Sequence, residues 1–88
     1  MRNLNLKDIS EYAYETFVSN VADNIEDDIV RGKDMCFLFV WNKNWMLKLK
    51  DKLEKGGFIV KIFDEVQTSS NGVSWYNMIV GWDKERIE

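Results

Sequence analysis

The sequence predicts an α+β fold of order α-β-α-β-β, a three-stranded mixed sheet with two helices, the long N-terminal helix packed on the sheet. Three observations carry that expectation. Apolar residues recur at helical spacing from Leu6 onward, and MCFLFVW (Met35 to Trp41) is a short uncharged run. Two β-rich segments, FIVKIFDEV and VSWYNMIVGW, flank Ser69-Ser70-Asn71-Gly72. At 88 residues the chain has room for one core, so residues 1–88 are read as a single domain.

The first helix is expected over residues 6–31. Asn5 is its N-cap, Asp8 reaches back from three residues on, and Leu4 and Ile9 form a hydrophobic staple. Leu6, Ile9, Ala13, Tyr14, Phe17, Val18, Val21 and Ile25 share one side, and Gly32 is a natural stop. The run 35–41 is apolar on both faces and reads as a buried strand. A second helix follows over about 44–55, with Trp45, Met46, Leu49 and Leu53 as its buried stripe and Gly56-Gly57 ending it. Strands at 58–66 and 73–82 close the fold, joined by a two-residue type I′ turn at Asn71-Gly72. Residues 83–88 read as a solvated tail.

Helix two crosses between two strands of the same direction, and the last strand returns antiparallel. Because VSWYNMIVGW is apolar on both faces it is placed in the middle, giving strand order 1-3-2, a split β-α-β unit; order 1-2-3 is the alternative. Side chains alternate along a strand. With the two-residue turn, one face of the hairpin presents Phe58, Val60, Ile62 and Ile79 beside Gly81. The other presents Ile59, Phe63, Tyr76, Met78, Val80 and Trp82, interrupted by Lys61, Glu65 and Gln67. Two helices most economically cover one face, assigned here to Phe58, Ile62 and Gly81. The alternative is a three-layer arrangement with the long helix on the second face. An uncovered apolar face and the charge-free edge strand 35–41 together call for a homodimer or larger assembly. Its interface is expected at Phe37, Phe39, Tyr76, Met78, Val80 and Trp82.

The composition, 45% hydrophobic and 31% charged, is that of a folded chain and excludes a disordered one. The polar N-terminus carries no signal-peptide pattern, and the longest apolar run is far short of a membrane span. One cysteine, Cys36, forms no internal disulfide, so the expected location is a reducing cytoplasm. The net charge is −3, with acids concentrated before Gly32 and lysines between Lys33 and Lys55. No segment is basic enough for nucleic acid, and stacking on Trp75, Tyr76 or Trp82 would have only Lys61 and Lys84 beside the rings.

Chemistry is thinly represented. The chain has no histidine, which removes the commonest general base and transition-metal ligand. Cys36 has no histidine partner, and the Glu26-Asp27-Asp28 run has neither the glycine nor the spacing of a calcium loop. Asp64 and Glu65 point to opposite faces of a strand, and no phosphate-binding or nucleophile-elbow motif is present. The expectation is a protein without enzymatic activity, cofactor or metal.

Two charged surfaces remain. Asp8, Glu11, Glu15, Asp23 and Glu26 form an acidic ridge on the first helix with Tyr12 among them. Its plain reading is a solvated helix face; its sharper reading is a docking surface for a basic partner at Glu11, Tyr12, Glu15 and Asp23. Lys48, Lys52 and Lys55 share the outer face of the second helix, where Asp51–Lys55 and Lys50–Glu54 pairs dilute the positive charge. That ridge could hold an anionic ligand, although an ordinary soluble helix explains it as well.

Gly32-Lys33 before an apolar strand, then Leu53, Gly57, Phe58 and Val60, then Ile79, Val80 and Trp82, resemble the layout of a loose group of very short phage and prophage proteins of unknown function. Gly81 departs from the small polar residue expected before that tryptophan. The resemblance brings no site residues. What it implies is a context, an accessory gene whose product binds and disables a host protein as an anti-defence or host-takeover factor. An oligomer that sequesters a small anionic ligand, such as a signalling nucleotide, is the alternative, and a virion or assembly component is a further one.

Overall fold

The structure is a computed structural model and describes residues 5–83 of the 88. Leu4 of the expected staple and residues 84–88 of the expected tail lie outside the described residues. The elements run α1 (Leu6–Val30), β1 (Met35–Val40), α2 (Lys43–Lys55), β2 (Ile59–Ile62), β3 (Gln67–Thr68) and β4 (Ser74–Gly81).

Local chemistry sets the helix limits. The Asn5 side chain accepts the Lys7 N–H at 2.9 Å and opens α1. Asn42 does the same for α2, accepting from Asn44 and Trp45, so that helix begins at Lys43. Both helices end in the same way. Lys33 N–H returns to the Asp28 carbonyl and Gly32 N–H to Ile29, while Phe58 returns to Leu53 and Gly57 to Glu54. This is the Schellman pairing, which needs a left-handed residue one past the cap; Gly32 at φ +80° and Gly57 at φ +94° provide it without a Cβ clash.

The strand order is β1-β4-β2, with β3 pairing the start of β4. Every pairing is antiparallel. The expected three-stranded mixed sheet is therefore corrected to an antiparallel one of four strands. β1 and β2 do point the same way, but β4 lies between them, so no parallel ladder forms. The expected strand 58–66 is broken because four residues, Phe63 to Val66, oppose only Tyr76 and Asn77 between the β2 and β3 pairings.

The hairpin also differs from expectation. Ser69 N–H bonds the Val73 carbonyl at 2.8 Å and Gly72 N–H bonds Ser69 at 3.0 Å, enclosing three loop residues. Among the described residues only glycines have positive φ, so Asn71 does not adopt the conformation of a type I′ turn. A three-residue loop with Gly72 left-handed replaces it, the arrangement of a turn followed by a glycine bulge.

Both helices lie on one face of the sheet. β1 alternates strictly, with Cys36, Leu38 and Val40 buried and Met35, Phe37 and Phe39 exposed. Register places Cys36, Leu38 and Val40 opposite Val80, Met78 and Tyr76, with Val60 and Ile62 on the other side of the same pairs. Val21 and Ile25 from α1 and Met46, Leu49 and Leu53 from α2 close over them. Fully burying each of Val40, Met46, Leu49, Met78 and Val80 contributes about 1.5–3 kcal/mol. The Trp82 indole N–H is satisfied by the Lys33 carbonyl at 3.0 Å, and its ring meets Phe58 edge-on at 6.4 Å.

The apolar stripe of α1 is used over only part of its length. Twenty-five residues give a helix of about 37 Å, whereas strands of six to eight residues span about 20–27 Å. Leu6 and Ile9 are accordingly 81% and 39% exposed, and packing begins at Tyr14 and Phe17 against Trp45, with ring centroids 5.7 and 5.3 Å apart.

Candidate functional site: the uncovered sheet face

The face away from the helices is built from alternate residues of three strands. β1 contributes Met35, Phe37 and Phe39, continued by Trp41, the three rings being 67%, 61% and 59% exposed. β4 contributes Trp75, Asn77, Ile79 and Gly81, and β2 contributes Ile59 and Lys61, with Phe63 just beyond. Trp75 lies edge-on to both Phe39 and Trp41, at 6.4 and 6.3 Å with interplanar angles of 85° and 78°. Edge-to-face packing of this kind orders the rings while leaving their outer surfaces to solvent. Lys61 is a charged side chain of this face, and its ammonium sits 5.3 Å from the Phe63 ring centroid.

Phe37 and Phe39 lie where the sequence puts them, on an uncovered surface. Tyr76, Met78, Val80 and Trp82 do not. Met78 and Val80 are fully buried, Trp82 is 8% exposed and Tyr76 is partly buried against the core. The expected assignment of helices to the faces holds for Phe58, Val60 and Ile62, which pack on the core, and is overturned for β4; the cause is register. A two-residue turn at Asn71-Gly72 would pair even with odd positions, setting Ile62 beside Gly81. The three-residue loop and the later bulge pair Ile62 with Met78 and Val60 with Val80 instead. One residue in a turn moves every side chain to the other face.

Met35 and Trp41, of the run expected to need cover, Ile59, expected on the uncovered face, and Trp75, which was not expected there, complete the surface. A signal for the β1 row lies in MCFLFVW itself: Cys36, Leu38 and Val40 are compact, whereas Phe37, Phe39 and Trp41 are large rings.

The acidic ridge lies along α1, away from Val21 and Ile25, with Glu11, Glu15 and Asp23 exposed and Tyr12 54% exposed. Off the ridge, at the end of α1, Asp27 pairs with Arg31 at 3.2 Å and Asp28 with Lys33 at 3.4 Å. On α2, the Lys48 ammonium lies 5.3 Å from the Tyr14 ring centroid and Lys55 pairs with Asp51 at 2.9 Å, leaving Lys52 between them. Lys50 pairs with Glu54 at 2.7 Å on the same helix. The ridges therefore occupy the helical layer, on the opposite side of the molecule from the aromatic face.

Burial pushes the Cys36 thiol up to about 11, helped by Asp28 beside it, so the thiolate that nucleophilic chemistry needs is disfavoured. Burial also raises Tyr14. Among the described residues no three His, Cys, Asp or Glu side chains converge to hold a metal ion. No helix among them is long and apolar enough to cross a membrane. No protein-family model matches the chain, and searches of curated proteins and of solved structures find no match either.

Proposed function

We propose that the chain is a non-enzymatic binding protein that acts by occupying another protein, as part of a homodimer or larger assembly. In this reading, which the resemblance to short phage and prophage proteins favours, the partner belongs to a host cell and the chain is an anti-defence or host-takeover factor. The observation that carries the binding reading is the uncovered sheet face, where Phe37, Phe39, Trp41 and Trp75 lie together. Exposed apolar patches of this kind mark interaction surfaces, and aromatic rings dominate the energy of most interfaces. The chemistry it fits is a flat apolar protein surface that supplies a carboxylate for Lys61. Sequestration of an anionic ligand draws less support, because Lys48 and Lys55 already engage Tyr14 and Asp51.

The test is capture from host lysate by the immobilised chain, run in parallel with two surface variants. A protein retained by the natural chain should be lost with Phe39→Asp and kept when Glu11, Glu15 and Asp23 are changed to lysine. The reverse pattern would move the contact to the acidic face of α1. No protein retained above a denatured-chain control, together with a saturable thermal shift by a nucleotide, would replace this reading by ligand sequestration.

A further inference from the structure

The hydrogen-bond parity of the sheet fixes what the outer edge of β1 presents. Trp82 N–H bonds the Asp34 carbonyl, so Asp34 and Trp82 form a hydrogen-bonded pair. In an antiparallel ladder such pairs alternate with non-bonded ones. Following the register, Cys36, Leu38 and Val40 bond β4, whereas Met35, Phe37 and Phe39 turn their N–H and C=O groups outward. On the far side of β4 the parity is the complementary one, because Phe63 N–H bonds Asn77. The outward Phe37 carbonyl receives only a long thiol contact from Cys36, at 3.8 Å.

Nothing in β1 blunts this edge. It has no charge, proline or bulge, the devices by which soluble proteins keep edges from pairing. An open recess of about 540 Å³, bordered by Asp28, Lys33, Met35 and Phe37, lies beside its first half.

We propose that a second copy of this chain pairs antiparallel along β1 about a twofold axis at Phe37. The register follows from the three outward residues. Centring on Phe37 sets Phe37 against Phe37 of the second copy and Met35 against Phe39, so that every outward N–H and C=O meets a partner. An isologous contact of this kind closes at two copies. Each pair also brings favourable side chains together, ring beside ring at Phe37 and sulfur beside ring at Met35. The paired strands join two sheets into one and merge two aromatic faces into a single surface. The rings keep most of their exposed surface on the merged face, so the dimer is held chiefly by its backbone ladder.

The test needs only the chain itself, so its failure leaves the reading of a protein partner standing. In sedimentation or light scattering across the micromolar range, the mass should rise with concentration from 10.4 kDa toward twice that value. Phe37→Pro removes an outward N–H without removing any bond to β4, and should weaken dimerisation at least about tenfold more than Phe37→Ala. Amide exchange on the natural chain gives a second reading that does not depend on the variant folding. Protection at Met35, Phe37 and Phe39 should grow with concentration while that at Cys36 and Leu38 stays constant. A monomer mass throughout would overturn the proposal. So would a dimer in which those three amides remain unprotected, since that dimer would be joined elsewhere.

Discussion

Val80 and Ile79 are neighbours on one strand, yet they belong to regions built on different terms. The covered face is aliphatic at its centre, with Leu38, Val40, Val60, Met78 and Val80 interleaving with side chains from α1 and α2, and Phe58, Tyr76 and Trp82 at its ends. The uncovered face is aromatic, and its largest rings touch mainly each other. Compact aliphatic chains fill a helix–sheet seam at high density, where a displaced methyl group is felt at once. Rings give a large contact area for few rotatable bonds, which suits the binding surface proposed above. The alternation of one strand thus separates a row that makes the fold from a row that the fold displays.

Substitutions should register that separation as a gradient. The largest effect is expected from a charge on the covered row. Val80→Asp places a carboxylate where exposure is zero and no cation is at hand, a loss of several kcal/mol and no folded baseline in thermal circular dichroism. A cooperative melt near that of the natural chain would show that the face is less tightly closed than its burial indicates. Leu49→Ala comes next, at about 2–5 kcal/mol for a buried leucine seated between helix and sheet, measured by urea unfolding.

Cys36→Ala should cost about 1 kcal/mol near neutral pH, because a compact group leaves a small cavity. It should leave partner binding unchanged. Its pH signature is more specific. The folded thiol titrates near 11 instead of the ordinary 9.0, so the folded state holds that proton after the unfolded state has released it. The associated stability is intact below pH 9 and is lost as pH rises toward 11. The natural chain should lose more stability over that window than Cys36→Ala, and parallel curves would remove the thiol from the account.

On the uncovered row, Phe39→Asp should change stability by less than about 1 kcal/mol while abolishing partner capture. A change comparable to that of Val80→Asp would mean that the ring carries the fold. The smallest effect belongs to the acidic ridge. Reversing Glu11, Glu15 and Asp23 to lysine should shift stability by less than about 0.5 kcal/mol at each position, read as a nearly constant Tm.

Much of this was legible in the sequence because it is written in short range. Asn5 and the glycines at 32 and 57 mark helix ends through their own backbone preferences, and MCFLFVW announces a strand by composition. The face assignment failed at the one place where a single residue decides everything. Asn71-Gly72 favours a two-residue turn locally, but Ser69 and Val73 pair around three residues, and the parity of β2 follows the turn actually formed. The four-residue stretch Phe63 to Val66 has no local signature of a bulge, so its effect on register becomes visible only once the strands are paired. Phe37 and Phe39 were found because they sit on β1, whose alternation does not depend on that turn.

The length of α1 relative to the sheet has a further consequence, in time and not in space. Its first two turns, around Leu6 and Ile9, project past the strands and hold their hydrogen bonds without tertiary support. An isolated helical turn opens readily, whereas turns packed on a core open only when the core does. Amide hydrogens along this single helix should therefore exchange in a graded series, fastest near Leu6 and slowest around Val21 and Ile25. The helix is anchored at its far end and frays toward its start, so a dye, a tag or a tether joined near residue 6 would move independently of the core.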